Sequence, residues 1–326
     1  MTTLAPQEQE FLAKLRAGGF RSASRMPLAE SRASLRDMAL SLAGPKLAVD
    51  RVEDHSIAGP GGNFMIRIYK PDPTTRLNLG VTLFLHGGGF YLGDLETHDH
   101  VCRFLCVHAG TIVIAVDYRL APENKFPAGL EDCYAALCWV AANGAVRGWD
   151  SSRIALLGDS AGGTLVAATC LLARQRGGPA ISLQAMVYPA LAIDDGVDFP
   201  SRTELGNGDY FVSFEDFAFI RQIYLEEGER DVADPLASPV RAKDFRNLPP
   251  ALIVAAEFDP CRDENRRYAE LLKAAGVPTE FICFEGTIHP FYILDGILDA
   301  GRRGQELVAD RIRRALIPAA PSVDRA

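Results

Sequence analysis

Ile154-Ala155-Leu156-Leu157-Gly158-Asp159-Ser160-Ala161-Gly162-Gly163 is an apolar run that ends in a glycine-rich turn carrying one serine. The run Ile154 to Leu157 has the length and composition of a strand buried on both faces, and the Ala- and Leu-rich segment Ala161 to Ala173 favours helix. Strand, tight turn and helix form the setting of the G-x-S-x-G elbow. So sharp a turn needs small residues around the serine, a demand met by Gly158, Ala161, Gly162 and Gly163. The Ser160 hydroxyl then points out of the turn, above a helix N-terminus whose N–H groups favour developing negative charge. A phosphate loop would place a lysine beside the serine, and none is there.

Outward from the turn, three more short apolar runs, Val81 to Leu85, Ile112 to Val116 and Leu183 to Val187, alternate with helical patterns such as the one that opens near Leu130 and continues through Tyr134 to Val140. Alternation of this kind predicts a mostly parallel central sheet with helices on both faces, an α/β fold. Val52 to Ile57 and Phe64 to Tyr69 alternate like antiparallel strands around Gly59-Pro60-Gly61-Gly62, which predicts a leading hairpin. The pattern breaks between Leu191 and Pro250, where Phe214 to Tyr224 is helix-like. It resumes with strand Leu252 to Ala256, helix Arg262 to Ala275, strand Glu280 to Phe284 and a last helix from about Gly304 to Leu316. The expected organisation is N-terminal cap helices in 1–45, a catalytic core in 46–190 and 246–318, a cap insertion in 191–245 and a tail in 319–326.

His86-Gly87-Gly88-Gly89-Phe90 directly follows the strand Val81 to Leu85, and its glycines can present backbone N–H groups to a ligand. Gly88, Gly89 and Ala161 are the expected oxyanion donors, with His86 and Gly87 in supporting roles. In a strand–helix scaffold of this kind the base and the acid follow the serine in the order Asp or Glu, then His. Of six histidines (55, 86, 98, 100, 108, 289), His289 alone lies after Ser160. Asp259 follows the strand Leu252 to Ala256 and is the expected acid, ahead of Glu257, still within that strand, and Asp263, within the next helix. His98 and His100 read as part of a solvated loop. Phe90, Phe211 and Phe214 are candidate substrate-binding side chains, although aromatics at helical spacing, Phe217 among them, are also what a plain core looks like.

The 326 residues are 48% hydrophobic and 23% charged, enough apolar material for a large core. A net charge of −8 supplies no basic footprint for nucleic acid and suits a neutral small molecule. Seven cysteines, odd in number and without paired C-x-x-C spacing, are expected as free thiols, with no metal and no cofactor. The first fifteen residues, MTTLAPQEQEFLAKL, lack the apolar core of a signal peptide, and no run approaches the roughly 20 apolar residues that span a bilayer, so the cytoplasm is the expected location. The oligomeric state is not legible, with a homodimer allowed for.

These residues resemble the hormone-sensitive-lipase-like family of microbial carboxylesterases from about residue 45 onward. The resemblance rests on His86-Gly87-Gly88-Gly89, on Gly158-Asp159-Ser160-Ala161-Gly162-Gly163, on Asp117-Tyr118-Arg119-Leu120-Ala121-Pro122-Glu123 through Phe126-Pro127-Ala128, and on Asp259-Pro260 with Arg262-Asp263-Glu264. It implies an eight-stranded α/β-hydrolase sheet under a small helical cap, and metal-free hydrolysis of short to medium acyl esters. Cys261 and Asn265 depart from the residues usual there, Leu and Gly, and Pro290 stands where Gly usually follows the catalytic histidine. Two other functions share the scaffold. One is an amidase or an N-acyl or O-acetyl deacetylase on the same triad; the other is a non-catalytic binder like the plant gibberellin receptors, which resemble this family without the histidine.

Overall fold

The computed structural model describes residues 3–72, 79–194 and 199–316. The expected tail at 319–326 lies outside them. Eight strands form one sheet: β1 (Arg51–Gly59), β2 (Gly62–Lys70), β3 (Leu79–Leu85), β4 (Ile112–Asp117), β5 (Trp149–Asp159), β6 (Leu183–Val187), β7 (Ala251–Phe258) and β8 (Thr279–Ile288), in the spatial order β1-β2-β4-β3-β5-β6-β7-β8. The leading hairpin is antiparallel, as is the pairing of β2 with β4, and every later pairing is parallel. Parallel strands need long crossovers, here supplied by helices α3 (Asp99–Ala109), α4 (Ala128–Arg147), α5 (Ala161–Arg176) and α9 (Arg262–Ala274), with α10 (Asp299–Leu316) closing the chain.

The apolar runs are buried on both faces, as their composition predicts. Along β3, Val81, Leu83 and Leu85 enter one core layer while Phe84 enters the other; along β5, Ile154 and Leu156 enter the first layer and Ala155 and Leu157 the second. Strand order reverses between β3 and β5, so the chain leaves these two neighbours in opposite directions and a crevice opens at their carboxyl ends.

Outside the sheet layers stand α1 (Pro6–Ala17) and α2 (Leu28–Leu42) from the N-terminal segment, and α6 (Pro200–Leu205), α7 (Phe214–Tyr224) and α8 (Glu229–Ala233) from the stretch that interrupts the alternation. The two groups are joined by polar contacts: Ser24 Oγ donates to Asp216 Oδ1 at 2.7 Å, Ser22 Oγ reaches the same oxygen, and Arg25 Nε donates to Glu215 Oε2 at 2.7 Å. Asp216 also completes a capping box with Ser213 at the start of α7.

Two expectations are corrected. His98 and His100 do not lie in a solvated loop; each is 3% exposed where α3 begins, because their polar atoms face buried carboxylates instead of water. The last helix begins at Asp299 rather than near Gly304, since Gly301 and Gly304 sit on its packed face against Phe291 and do not break it. The cysteines of the described chain are free thiols.

Ile154 has no exposed surface on the central strand β5. Ile154→Ala is expected to lower unfolding free energy by about 3 kcal/mol, measured by urea denaturation; a loss below about 1 kcal/mol would contradict the close packing described for this layer.

Candidate active site

The site is assembled by two strand registers. In the first, β3 and β5 pair with Leu85 opposite Gly158, so the loop His86-Gly87-Gly88-Gly89 and the turn Asp159-Ser160-Ala161 leave the sheet side by side. The closeness explains the small residues: a Cβ on Gly162 would lie 2.0 Å from the Leu85 carbonyl oxygen. Ser160 adopts φ 53° and ψ −123°, a left-handed conformation costly for a residue with a side chain, and its amide is pinned to the Val187 carbonyl at 2.8 Å. In the second register, β7 and β8 pair with Phe258 opposite Ile288, which brings the next residues, Asp259 and His289, together.

The three side chains meet. His289 Nε2 is 2.8 Å from Ser160 Oγ, and His289 Nδ1 is 2.8 Å from Asp259 Oδ2. Asp259 is fully buried, and its other oxygen accepts the Cys261 amide at 2.8 Å, so neither carboxylate oxygen is left unpaired. Glu257 accepts the Gly286 amide at 2.7 Å and Asp263 accepts the Ser201 amide at 2.8 Å, so both rival acids are committed elsewhere.

Gly88 has φ 119° and Gly89 φ 60°, the former a backbone state that side chains rarely permit. The Leu92 and Tyr91 amides donate to the Gly88 carbonyl at 2.8 and 3.2 Å, closing a turn. Among the described residues, no turn or loop hydrogen bond uses the amides of Gly88, Gly89 or Ala161. Asp159 Oδ1 accepts the Gly87 amide at 3.0 Å. His86 stacks on Tyr118 with ring centroids 4.3 Å apart, and the Tyr118 hydroxyl donates to the His86 carbonyl at 2.7 Å, so this imidazole supports the loop from below. Burial, reinforced by the neighbouring His98 ring, holds the His86 pKa down at about 4.

A cleft of about 170 Å³ runs from Ser160 and His289 to Phe20, Leu35 and Met38 of the N-terminal segment and to Phe211, Phe217 and Ile220 of the later insertion. Phe90 borders it with its ring stacked on Tyr224 at 4.0 Å. Phe214 does not: it is 39% exposed and packs beside Gly206, because the α7 helix turns Phe217 and Ile220 inward instead. Tyr188, which sequence reasoning passed over, lies with its ring centroid 4.6 Å from that of His289 at φ 37°. Its one available signal is its place at the end of β6 before Pro189.

Asp259, Cys261 and His289 also offer oxygen, sulfur and nitrogen atoms within 4.8 Å of one another, a donor set that a metal ion can use. Burial and the carboxylates of Glu264 and Asp259 push the Cys261 thiol well above its usual range, against the thiolate such an ion needs, and the Nδ1 and Oδ2 atoms already pair with each other.

A family model described as the alpha/beta hydrolase fold matches residues 82–293. The chain is 42% identical to Esterase LipI of Mycobacterium tuberculosis over 287 residues, covering 86% of this chain and 87% of that protein. It belongs to the hormone-sensitive-lipase-like carboxylesterases of the α/β-hydrolase superfamily. An arylesterase of Saccharolobus solfataricus is 36% identical over 88% of this chain and 92% of its own length. A solved esterase from Pyrobaculum calidifontis superposes with a TM-score of 0.86 at 38% identity, covering 95% of this chain and 98% of that one. The protein is thus a serine carboxylesterase acting on small-molecule esters. Among its described residues no helix is long and apolar enough to cross a membrane.

Burial of His86 predicts a loss of stability in acid. Unfolded, this imidazole takes up a proton below about pH 6.5, and folded only near 4, so the unfolded state binds more protons between those values. Stability should fall as pH drops through that window, by up to about 3 kcal/mol from this group. Urea unfolding at stepped pH is expected to show a flatter profile for His86→Gln, and an unchanged slope would contradict a neutral buried ring.

Proposed function

We propose that Ser160 is the nucleophile, His289 the general base and Asp259 the acid that orients it, with the amides of Gly88, Gly89 and Ala161 as the oxyanion hole. The observation that carries this reading is the continuous run of 2.8 Å contacts from the Ser160 hydroxyl through His289 to Asp259, beside uncommitted amides at the N-terminus of α5. As the hydroxyl attacks the ester carbonyl, His289 Nε2 takes its proton and the carbonyl oxygen becomes an anion facing those amides. Asp259 keeps the proton on Nδ1 and stabilises the imidazolium. His289 then passes its proton to the leaving alcohol, and water, activated by the same imidazole, releases the acid from the acyl-enzyme.

The substrate preference proposed is for short to medium acyl chains. A volume of 170 Å³ compares with the roughly 150 Å³ of a cavity that admits one benzene ring, which leaves room for one acyl chain of modest length. Apolar walls from Leu35, Met38, Phe217 and Ile220 favour a hydrocarbon group over a charged one. The segments that supply them, 1–45 and 191–245, act as the cap in this reading. The site residues call for no metal or cofactor in this chemistry, and a net charge of −8 disfavours a nucleic-acid partner.

Two measurements test this. Ser160→Ala and His289→Ala should each lower kcat by on the order of 10⁶ while the far-ultraviolet spectrum stays native; near-normal turnover by Ser160→Ala would end the assignment. Across aryl esters from acetyl to dodecanoyl, kcat/KM should peak at butanoyl to hexanoyl and fall by dodecanoyl, whereas a rate still rising at dodecanoyl would refute the size argument. Faster cleavage of matched anilides than of the esters would favour an amidase.

A further inference from the structure

A second imidazole–carboxylate contact lies one residue from Ser160. Asp159 is 2% exposed, and its Oδ1 both accepts the Gly87 amide at 3.0 Å and sits 3.2 Å from His98 Nε2. The other nitrogen of His98 is 2.8 Å from Thr97 Oγ1, which donates to the Asp94 carbonyl at 2.8 Å and accepts the Asp94 amide at 3.1 Å. His98 is thereby anchored through Nδ1 at the entrance to α3, while its Nε2 faces the Asp159 carboxylate in a close polar contact that lacks hydrogen-bond geometry. Phe84 and His86 close around it, with ring centroids 5.6 and 5.7 Å away.

The placement matters because the glycine loop cannot specify its own shape. Gly87, Gly88 and Gly89 have no side chains, and glycine populates positive and negative φ about equally, so an external contact must select the conformation in which the amides converge. The carboxylate of Asp159 is that contact at Gly87. Burial by itself would push this carboxyl upward, but His98, His86 and the Gly87 amide more than offset that and leave it below the usual carboxylate range. An ionised acceptor makes the stronger hydrogen bond, and in a buried network such a bond is costly to lose.

We propose that His98 and Asp159 form a positioning pair that holds the Gly87–Gly89 backbone with its amides aimed at the oxyanion, coupling that loop to the turn that carries the nucleophile. This rests on the reading of Gly88 and Gly89 as oxyanion donors. His98 acts through Asp159 and Gly87, without contact with the reacting atoms.

The test compares matched aryl oxoesters and thionoesters, because sulfur is a weak acceptor and a thionoester draws little from the oxyanion donors. His98→Phe is expected to lower kcat on the oxoester by about 10- to 100-fold, short of the roughly 10²- to 10³-fold typical of losing a donor outright, with KM within about threefold of wild type. The thionoester rate should fall far less. Asp159→Leu should lose more than His98→Phe. Asp159→Asn, which keeps an oxygen for both the Gly87 amide and His98, should recover most of what the Leu variant loses. Equal losses on the two ester types would trace the effect to Ser160 or to general packing and overturn the proposal, as would an unimpaired His98→Phe enzyme. If thermal melting shows that His98→Phe does not fold, the contrast between Asp159→Asn and Asp159→Leu decides, and no difference between them overturns it. A Ser160→Ala control on the same esters reports on the underlying triad separately: residual turnover there sinks the triad, whatever the His98 variants do.

Discussion

The parallel pairing of β3 with β5, with Leu85 opposite Gly158, is the constraint on which the site depends. These strands are neighbours in the sheet yet separated in the chain by β4 and two helical crossovers, because the winding direction reverses between them. Where it reverses, two loops diverge from adjacent strand ends and leave a crevice that the sheet itself cannot fill. One loop carries the free amides of Gly88 and Gly89, the other the serine and the Ala161 amide. Their spacing is set by hydrogen bonds between strands buried on both faces, so the precision of the site is inherited from the most rigid part of the molecule.

The same logic operates at the other end of the parallel region. Pairing of Phe258 with Ile288 delivers Asp259 and His289 to one another, and β6, lying between β5 and β7, receives the Ser160 amide on Val187. The unfavourable backbone at Ser160 is sustained by this surrounding structure. Such a conformation costs on the order of 1–3 kcal/mol, small beside the apolar burial of the strands and of α5, in which Leu165, Val166 and Ala167 are nearly inaccessible. One interior charge pair is placed for position: Arg202 binds Glu264 at 2.6 Å, and the second Glu264 oxygen accepts the Leu191 amide at 2.7 Å, tying α6 to α9 just beyond the loop that bears Asp259. Removing one partner of such a pair leaves a buried charge uncompensated, so these contacts specify geometry more than they add stability.

Much of this was legible from residue order. Apolar runs predict the central strands, since strands buried on both faces have a composition that loops do not, and alternation predicts the half-exposed leading hairpin. Gly158-Asp159-Ser160-Ala161-Gly162 and His86-Gly87-Gly88-Gly89 are legible for a different reason: close backbone approach tolerates so few residue types that the constraint is written in the composition. His98 and His100 were misread because a polar residue is scored as solvated unless its partner is known, and their partners, Asp159 and Asp295, are distant in sequence. Phe214 was misplaced for a related reason, as helical spacing says which residues share a face but not which face turns toward the cleft.

By itself, the order of residues determined the strand and helix types, the turns that only small residues can make, and the identity of the single histidine downstream of the serine, because each depends on local sterics or on elimination along one chain. Tertiary structure decided which carboxylate meets that histidine, which amides stay unpaired and which aromatic rings face the cleft. Those outcomes depend on the register between strands remote in sequence and on the burial that follows, and hydrogen-bond partners selected across a sheet leave no periodic trace in either strand alone.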